Sequence, residues 1–267
     1  MKKTDALTGI GLVSGIALLI MGMTSEFGFG IFLDFKSLAI TVGGSLAAVL
    51  ITVPLDDFKK MGTALGQAFK EKQSSNLEII NQFSNLSKRA RREGLLSLED
   101  EISNLDDAFL KKGLQMVVDG IEPEVIKEIL ELEIAQMEDR HATNSGLYAT
   151  WGGYAPGFGM LGTLIGLIQM LVDLSDAAAL TAGMGKALIT TFYGSLLANL
   201  FCNPIAANLM KKSAKEVKER EMMVEGILAI QSGVNPRIVE EKLITYLAPK
   251  ERLEYLSTNA ENSEGVA

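Results

Sequence analysis

Scarcity narrows this sequence before any motif does. Its 267 residues include one cysteine and one histidine. Cys202 lies inside an apolar run, which rules out an intramolecular disulfide and reads as a small packing residue. His141 sits in the charged stretch EDRHATNSG and reads as surface, so a metal site built on several imidazoles is excluded and a histidine-based nucleophile triad lacks its base. No enzymatic centre and no cofactor are expected. The net charge of -8 is dispersed through mixed-sign stretches, with no long basic block and no basic patch interleaved with aromatics. Nucleic acid is not an expected partner. No convincing internal repeat is present, which weighs against a solute transporter built from duplicated halves.

A further absence constrains mechanism most. Four stretches contain no Asp, Glu, Lys, Arg or His: Ala6 to Met23, Ser37 to Leu55, Leu147 to Val172 and Ala187 to Met210. A helix of roughly 20 residues crosses a ~30 Å hydrocarbon core, so each is a candidate span. Leu147 to Val172 has 26 residues with six glycines and Pro156. That content would weaken a soluble helix, but in lipid small residues let backbones approach closely. The pairs Gly11/Gly15, Gly153/Gly157 and Gly162/Gly166 are expected to favour a packed oligomer. Lys2 and Lys3 before the first run give it a signal-peptide charge order, but no small-residue cleavage site is obvious, and we read it as a retained span.

Between and after these runs the chain is charged. Residues 56 to 146 hold twelve Lys/Arg and eighteen Asp/Glu, with apolar residues at helical spacing, as in Leu114, Val117, Val118 and Ile121. Glu122-Pro123-Glu124 fits a helix start. The expected fold is an all-α polytopic membrane protein with four transmembrane helices and a helical cytoplasmic domain. Its divisions are 1–55 (spans one and two), 56–146 (cytoplasmic domain), 147–210 (spans three and four) and 211–267 (a helical segment with a mobile polar tail, STNAENSEGVA). Loops at about 24–36 and 173–186 would lie outside. Lysine and arginine concentrate at the amino terminus, the middle segment and the tail, leaving only Lys36 and Lys186 opposite, so both termini are expected in the cytoplasm.

An ion-coupled site in lipid normally needs an ionisable side chain. If this protein moves ions, a partner chain must supply that group. The polar residues worth weighing in the last two spans are Thr163, Thr190, Thr191, Tyr193, Asn199 and Asn203, whose groups either solvate a cation or bond between helices. Pro156 and Pro204 remove backbone donors and read as static kinks or hinges. In SKRARREGLLSLEDEISNLDD, Lys88, Arg89, Arg91 and Arg92 precede Glu99, Asp100 and Glu101, separated by GLLSL. This is either a solvated helix face or a dipolar surface suited to registering another protein.

Taken together, DFKSLAITVGGSLAA, RREGLLSLE, FLKKGLQMVVDG, YAPGFGMLGTLIGL, ITTFYGSLLANLFCNPIA and EGILAIQSGVNPRIVEEKL resemble the flagellar stator subunits of the MotA/PomA family, within the MotA/TolQ/ExbB group. The resemblance spans roughly residues 4 to 255. It implies a homopentamer in the cytoplasmic membrane around a MotB/PomB-type single-span partner, whose aspartate carries H+ or Na+. It also implies that Arg91 and Glu99, with Arg89 and Arg92 as neighbours, engage the rotor protein FliG. By the same resemblance Pro156 and Pro204 are tied to torque, and Thr163, Thr190 and Thr191 line the ion path. The pair at 190 and 191 is more like sodium-driven members. The alternatives are an ExbB/TolQ-type energiser, a solute transporter and a passive membrane scaffold.

Overall fold

The protein is described by a computed structural model covering residues 6–24, 29–70, 76–172 and 174–264. Lys2 and Lys3 lie outside the described residues. Among these residues there is no strand. The helices are α1 (Ala6–Met23), α2 (Phe35–Leu38), α3 (Gly44–Thr52), α4 (Leu55–Ala68), α5 (Asn76–Glu93), α6 (Glu99–Ser103), α7 (Ala108–Val118), α8 (Pro123–Val172), α9 (Ala177–Leu196), α10 (Asn203–Gln231), α11 (Pro236–Ile244) and α12 (Pro249–Glu264). Wide π turns, Ala39–Gly43 and Leu197–Cys202, join α2 to α3 and α9 to α10. Four helical segments are long and apolar enough to cross a membrane: Ala6–Met23, Gly30–Thr52, Pro123–Val172 and Ala177–Gln231.

The chain forms two compact units, Met1–Lys72 with Arg140–Lys212, and Gln73–Asp139 with Ser213–Ala267. In the first, α8 and α9 pack backbone against backbone. A Cβ added at Gly194 would meet the Ala155 carbonyl at 2.7 Å, and one at Gly166 would meet the Gly183 carbonyl at 2.7 Å. Only glycine admits this approach, which is how helices associate where lipid removes the hydrophobic drive between them. Met61, Ala64, Leu147, Tyr148, Ile205 and Leu209 form this unit's apolar cluster. Polar anchors cross it: Tyr148 Oη donates to the Met61 carbonyl at 2.8 Å, and Trp151 Nε1 donates to Ser45 Oγ at 3.0 Å. The Lys212 ammonium donates to the carbonyls of Gln67, Ala68 and Lys70, satisfying acceptors that the end of α4 leaves open.

The second unit is built as a water-soluble domain is. In α5, Ile79, Ile80, Phe83 and Leu86 follow helical spacing and are buried with Leu110, Leu114, Ile126, Leu130, Ile227 and Leu243. Asp107 caps α7, accepting from the Phe109 amide at 2.9 Å and the Leu110 amide at 3.1 Å. Arg220 Nη1 reaches the same carboxylate at 2.7 Å and lies 4.7 Å over the Phe109 ring. Burial raises the Asp107 pKa, but the two amides and the Arg220 guanidinium outweigh it, leaving the carboxyl below its ordinary value. In α11, Asn235 caps ahead of Pro236, the favoured place for proline at a helix start.

Three expectations shift. Residues 173–186, read as a loop, are largely helix, because Asp176 caps α9 by accepting from the Ala178 amide at 2.8 Å. The segment ALTAGMGK that follows has no proline, and its alanines, leucine, methionine and lysine favour helix despite two glycines. The second span starts before Ser37, since Asp34 caps α2 by accepting from the Ser37 amide at 2.9 Å. The polar tail is helical to Glu264, because nothing breaks the pattern before Gly265.

Candidate functional site

In the first unit the sequence candidates gather on α8, α9 and the start of α10. Thr163 Oγ1 and Thr191 Oγ1 lie 2.5 Å apart across the α8–α9 seam. Thr163, Thr190 and Thr191 all reach the Ala187 carbonyl, at 3.0, 3.0 and 3.2 Å. One carbonyl has two lone pairs, so three hydroxyls share it only with secondary acceptors. These are the Gly159 carbonyl for Thr163 at 3.1 Å and the Lys186 carbonyl for Thr190 at 3.0 Å. One of the Thr163 and Thr191 hydroxyls donates to the other and the remaining protons go to carbonyls, which leaves oxygen lone pairs pointing elsewhere. The accessible ones belong to Thr163, half-buried, and Thr191, exposed. Thr190 is fully buried, and its side chain occupies the space a Cβ at Gly162 would need, 2.5 Å away. It also supplies the carbonyl that accepts from Thr41 Oγ1 at 3.4 Å.

Pro156 lies inside α8 without ending it. It stands seven residues before Thr163, two turns away on the same face, together with exposed Met160. Pro204 is exposed near the start of α10, directly after the wide turn Leu197–Cys202. The cause is local: Pro204 offers no amide to Leu200 and its ring crowds that carbonyl, and a widened turn relieves both. The glycines divide between two environments. Gly159, Gly162 and Gly166 face α9 within the chain, whereas Gly11, Gly153 and Gly157 have open space where a Cβ would stand. The Gly162/Gly166 pair thus joins helices of one chain, contrary to its reading as a contact between subunits.

In sequence Tyr193 is a polar group in an apolar run; in the structure it is a tether. Its hydroxyl donates to the Phe32 carbonyl at 2.5 Å and accepts from the Asp34 amide at 3.2 Å, fixing the segment before α2 against α9. Nearby, Lys186 Nζ donates to Gln169 Oε1 at 2.8 Å. No sequence pattern links residues 161 apart, although a tyrosine in an apolar run signals a hydroxyl that needs a partner.

In the second unit Arg89, Arg91, Arg92 and Glu99 border one turn. Gly94, at φ +87°, closes α5 in a conformation that side chains resist. The chain passes through Leu95–Leu98 into α6. Basic residues at the end of α5 and acidic ones at the start of α6 each suit the dipole of their helix, a local cause of the charge segregation. Arg89 pairs with Glu93 at 3.3 Å and with Glu101, and its pKa is raised, chiefly by the Glu101 hydrogen bond. Arg91, Arg92, Glu99 and Asp100 are exposed and form no ion pair among the described residues.

Four helical segments long and apolar enough to cross a membrane, a hydroxyl-bearing face between two of them and runs free of Asp, Glu, Lys, Arg and His define an all-α membrane protein. Residues 101–222 match the family model described as the MotA/TolQ/ExbB proton channel family. The chain is 45% identical over 247 residues to motility protein A of Borreliella burgdorferi, covering 92% of this chain and 95% of that one. It is 36% identical to the chemotaxis protein PomA of Vibrio alginolyticus, covering 91% and 95%. It also superposes on a chain of the flagellar MotAB stator complex from Bacillus subtilis with a TM-score of 0.88 and 37% identity, covering 94% of this chain and 99% of that one. The chain belongs to the MotA/PomA family of flagellar stator subunits. The energiser reading has less support, since these full-length relatives are motility proteins.

Proposed function

We propose that this chain forms the ring of a flagellar stator. With a MotB/PomB-type single-span partner it conducts H+ or Na+ across the cytoplasmic membrane and converts the flow into torque on the rotor protein FliG. The observation that carries this reading is that all four charge-free runs lack Asp, Glu, Lys, Arg and His, while Thr163 and Thr191 hold oxygen atoms at an accessible face. A chain so built solvates an ion but does not bind and release it by titration, so the carboxylate comes from the partner's helix. Pro156, on the Thr163 face, and Pro204 are the places where the backbone flexes as the partner's aspartate gains and loses its ion. Five copies around a partner dimer, both termini in the cytoplasm and Arg91 and Glu99 towards the rotor complete the proposal.

The test is ion flux in vesicles holding this chain with and without its single-span partner, under imposed H+ or Na+ gradients. Flux that needs both chains, disappears when the partner's aspartate becomes asparagine and drops for Thr163→Ala supports the assignment. Equal flux from this chain alone would overturn it. Swapping the gradients identifies the coupling ion.

A further inference from the structure

The charged turn of the second unit contains a residue that electrostatics does not use. Leu96 is 70% exposed, whereas Leu98 is fully buried and Leu95 packs on the same core. A lone exposed leucine is ordinary. This one differs in its setting and in how firmly it is held. It stands between Arg91 and Arg92 on one side and Glu99 and Asp100 on the other, all exposed and without an ion pair among the described residues. Their neighbour Arg89 pairs with both Glu93 and Glu101, so the turn combines a closed ionic brace with a separate open charge set.

The turn is also closed by its own hydrogen bonds. The Gly94 amide donates to the Ala90 carbonyl at 2.9 Å, and the Ser97 amide and hydroxyl donate to the Gly94 carbonyl at 3.2 and 2.7 Å. Asn104 Nδ2 donates to the Asp100 carbonyl at 2.9 Å, holding the far end of α6. An apolar side chain on a prebuilt turn loses little freedom when a partner covers it. Flanking charges supply direction and register, while a desolvated centre supplies lifetime.

We propose that Leu96 is the apolar anchor of the rotor contact. It enters an apolar socket on a protein surface that carries carboxylates on the Arg91/Arg92 side and a cationic group on the Glu99/Asp100 side. This rests on the reading of the turn as rotor-facing and names the chemistry of the surface it meets.

The experiment measures binding of the purified rotor protein to the complete stator complex at low and high salt. Leu96→Ala is expected to weaken binding about fivefold, mainly through faster dissociation and by a similar factor at both salts, and Leu96→Met to restore most of it. Arg91→Gln is expected to lose most of its effect at high salt. If Arg91→Gln and Glu99→Gln act but Leu96→Ala does not, the anchor falls and the rotor-facing reading stands. If none of the three has an effect, both fall. A Leu96→Ala effect that vanishes at high salt also overturns the anchor. In motile cells, a photo-crosslinking amino acid at position 96 should capture the rotor protein. Capture of stator chains alone, or of nothing, would defeat the proposal even if the alanine variant folds poorly.

Discussion

The two units of this chain solve the same packing problem by opposite means. Around α8 and α9 the contacts are backbone on backbone, with Gly159, Gly166, Gly183 and Gly194 at the seam and hydroxyls bonded to carbonyls. Around α5, α7 and α11 the contacts are large apolar side chains, with Phe83, Leu114 and Ile227 fully buried and ion pairs at the margin. Lipid offers no reward for burying leucine against leucine, so close approach and internal hydrogen bonds must carry the association. Water rewards apolar area directly. Glycine therefore serves as the core residue of one unit and as a turn or spacing residue of the other.

That contrast can be broken experimentally. The largest effect should come from Phe83→Ala, about 3–5 kcal/mol of destabilisation in the second unit, read by hydrogen exchange of α5 and α7 amides. A loss below about 1 kcal/mol would mean that this core is not the soluble type described. Next, Gly194→Ala should destabilise the first unit by about 1–3 kcal/mol, because a backbone carbonyl, and not a flexible side chain, stands in the way. Gly153→Ala, facing open space, should stay within about 0.5 kcal/mol. Thermal unfolding in lipid discs checks the pair, and equal effects would dissolve the distinction.

Asp107→Ala should remove about 2 kcal/mol by uncapping α7 and leaving Arg220 with Glu216 as its remaining carboxylate partner. Because the folded carboxyl titrates below its unfolded value, its contribution is present above about pH 4 and disappears as pH falls through the lower, folded value. Acid melts of wild type and variant should therefore converge below about pH 4, and a constant gap would contradict the assignment. The smallest effect among the polar contacts belongs to Lys112→Met, whose partner Glu133 lies 2.6 Å away with both side chains about half exposed. Below about 1 kcal/mol is expected from chemical denaturation, since solvent screens such pairs.

The spans were legible because charge exclusion over about 20 residues leaves few alternatives. The start of α8 at Pro123 was legible from its proline and flanking carboxylates. Helix lengths were less so. The third span was read from Leu147, but α8 begins 24 residues earlier and never breaks. Composition marks where lipid begins and says nothing of where hydrogen bonding stops. At the candidate sites residue types were readable and orientation was not. Thr190 and Thr191 are adjacent in sequence, but a step of about 100° turns one into the seam and leaves the other at the surface. The tether from Tyr193 to Phe32 was illegible for a different reason, because local pattern does not encode pairing between distant segments.

The wide turn Leu197–Cys202 carries one more implication, counted in residues instead of energies. A π turn holds one residue more than an α turn would, bulged outward so that the helix beyond keeps its phase. The segment therefore contains a residue of slack. Removing one residue there would keep Cys202, Ile205 and Leu209 on their buried side, at the cost of bringing the Pro204 ring back against the carbonyl one turn before it. The same removal between Gly159 and Gly166, where no slack exists, would swing everything downstream by about 100° and turn the seam glycines away from α9. A one-residue deletion along these two helices thus disturbs the buried faces less at one address than at the other.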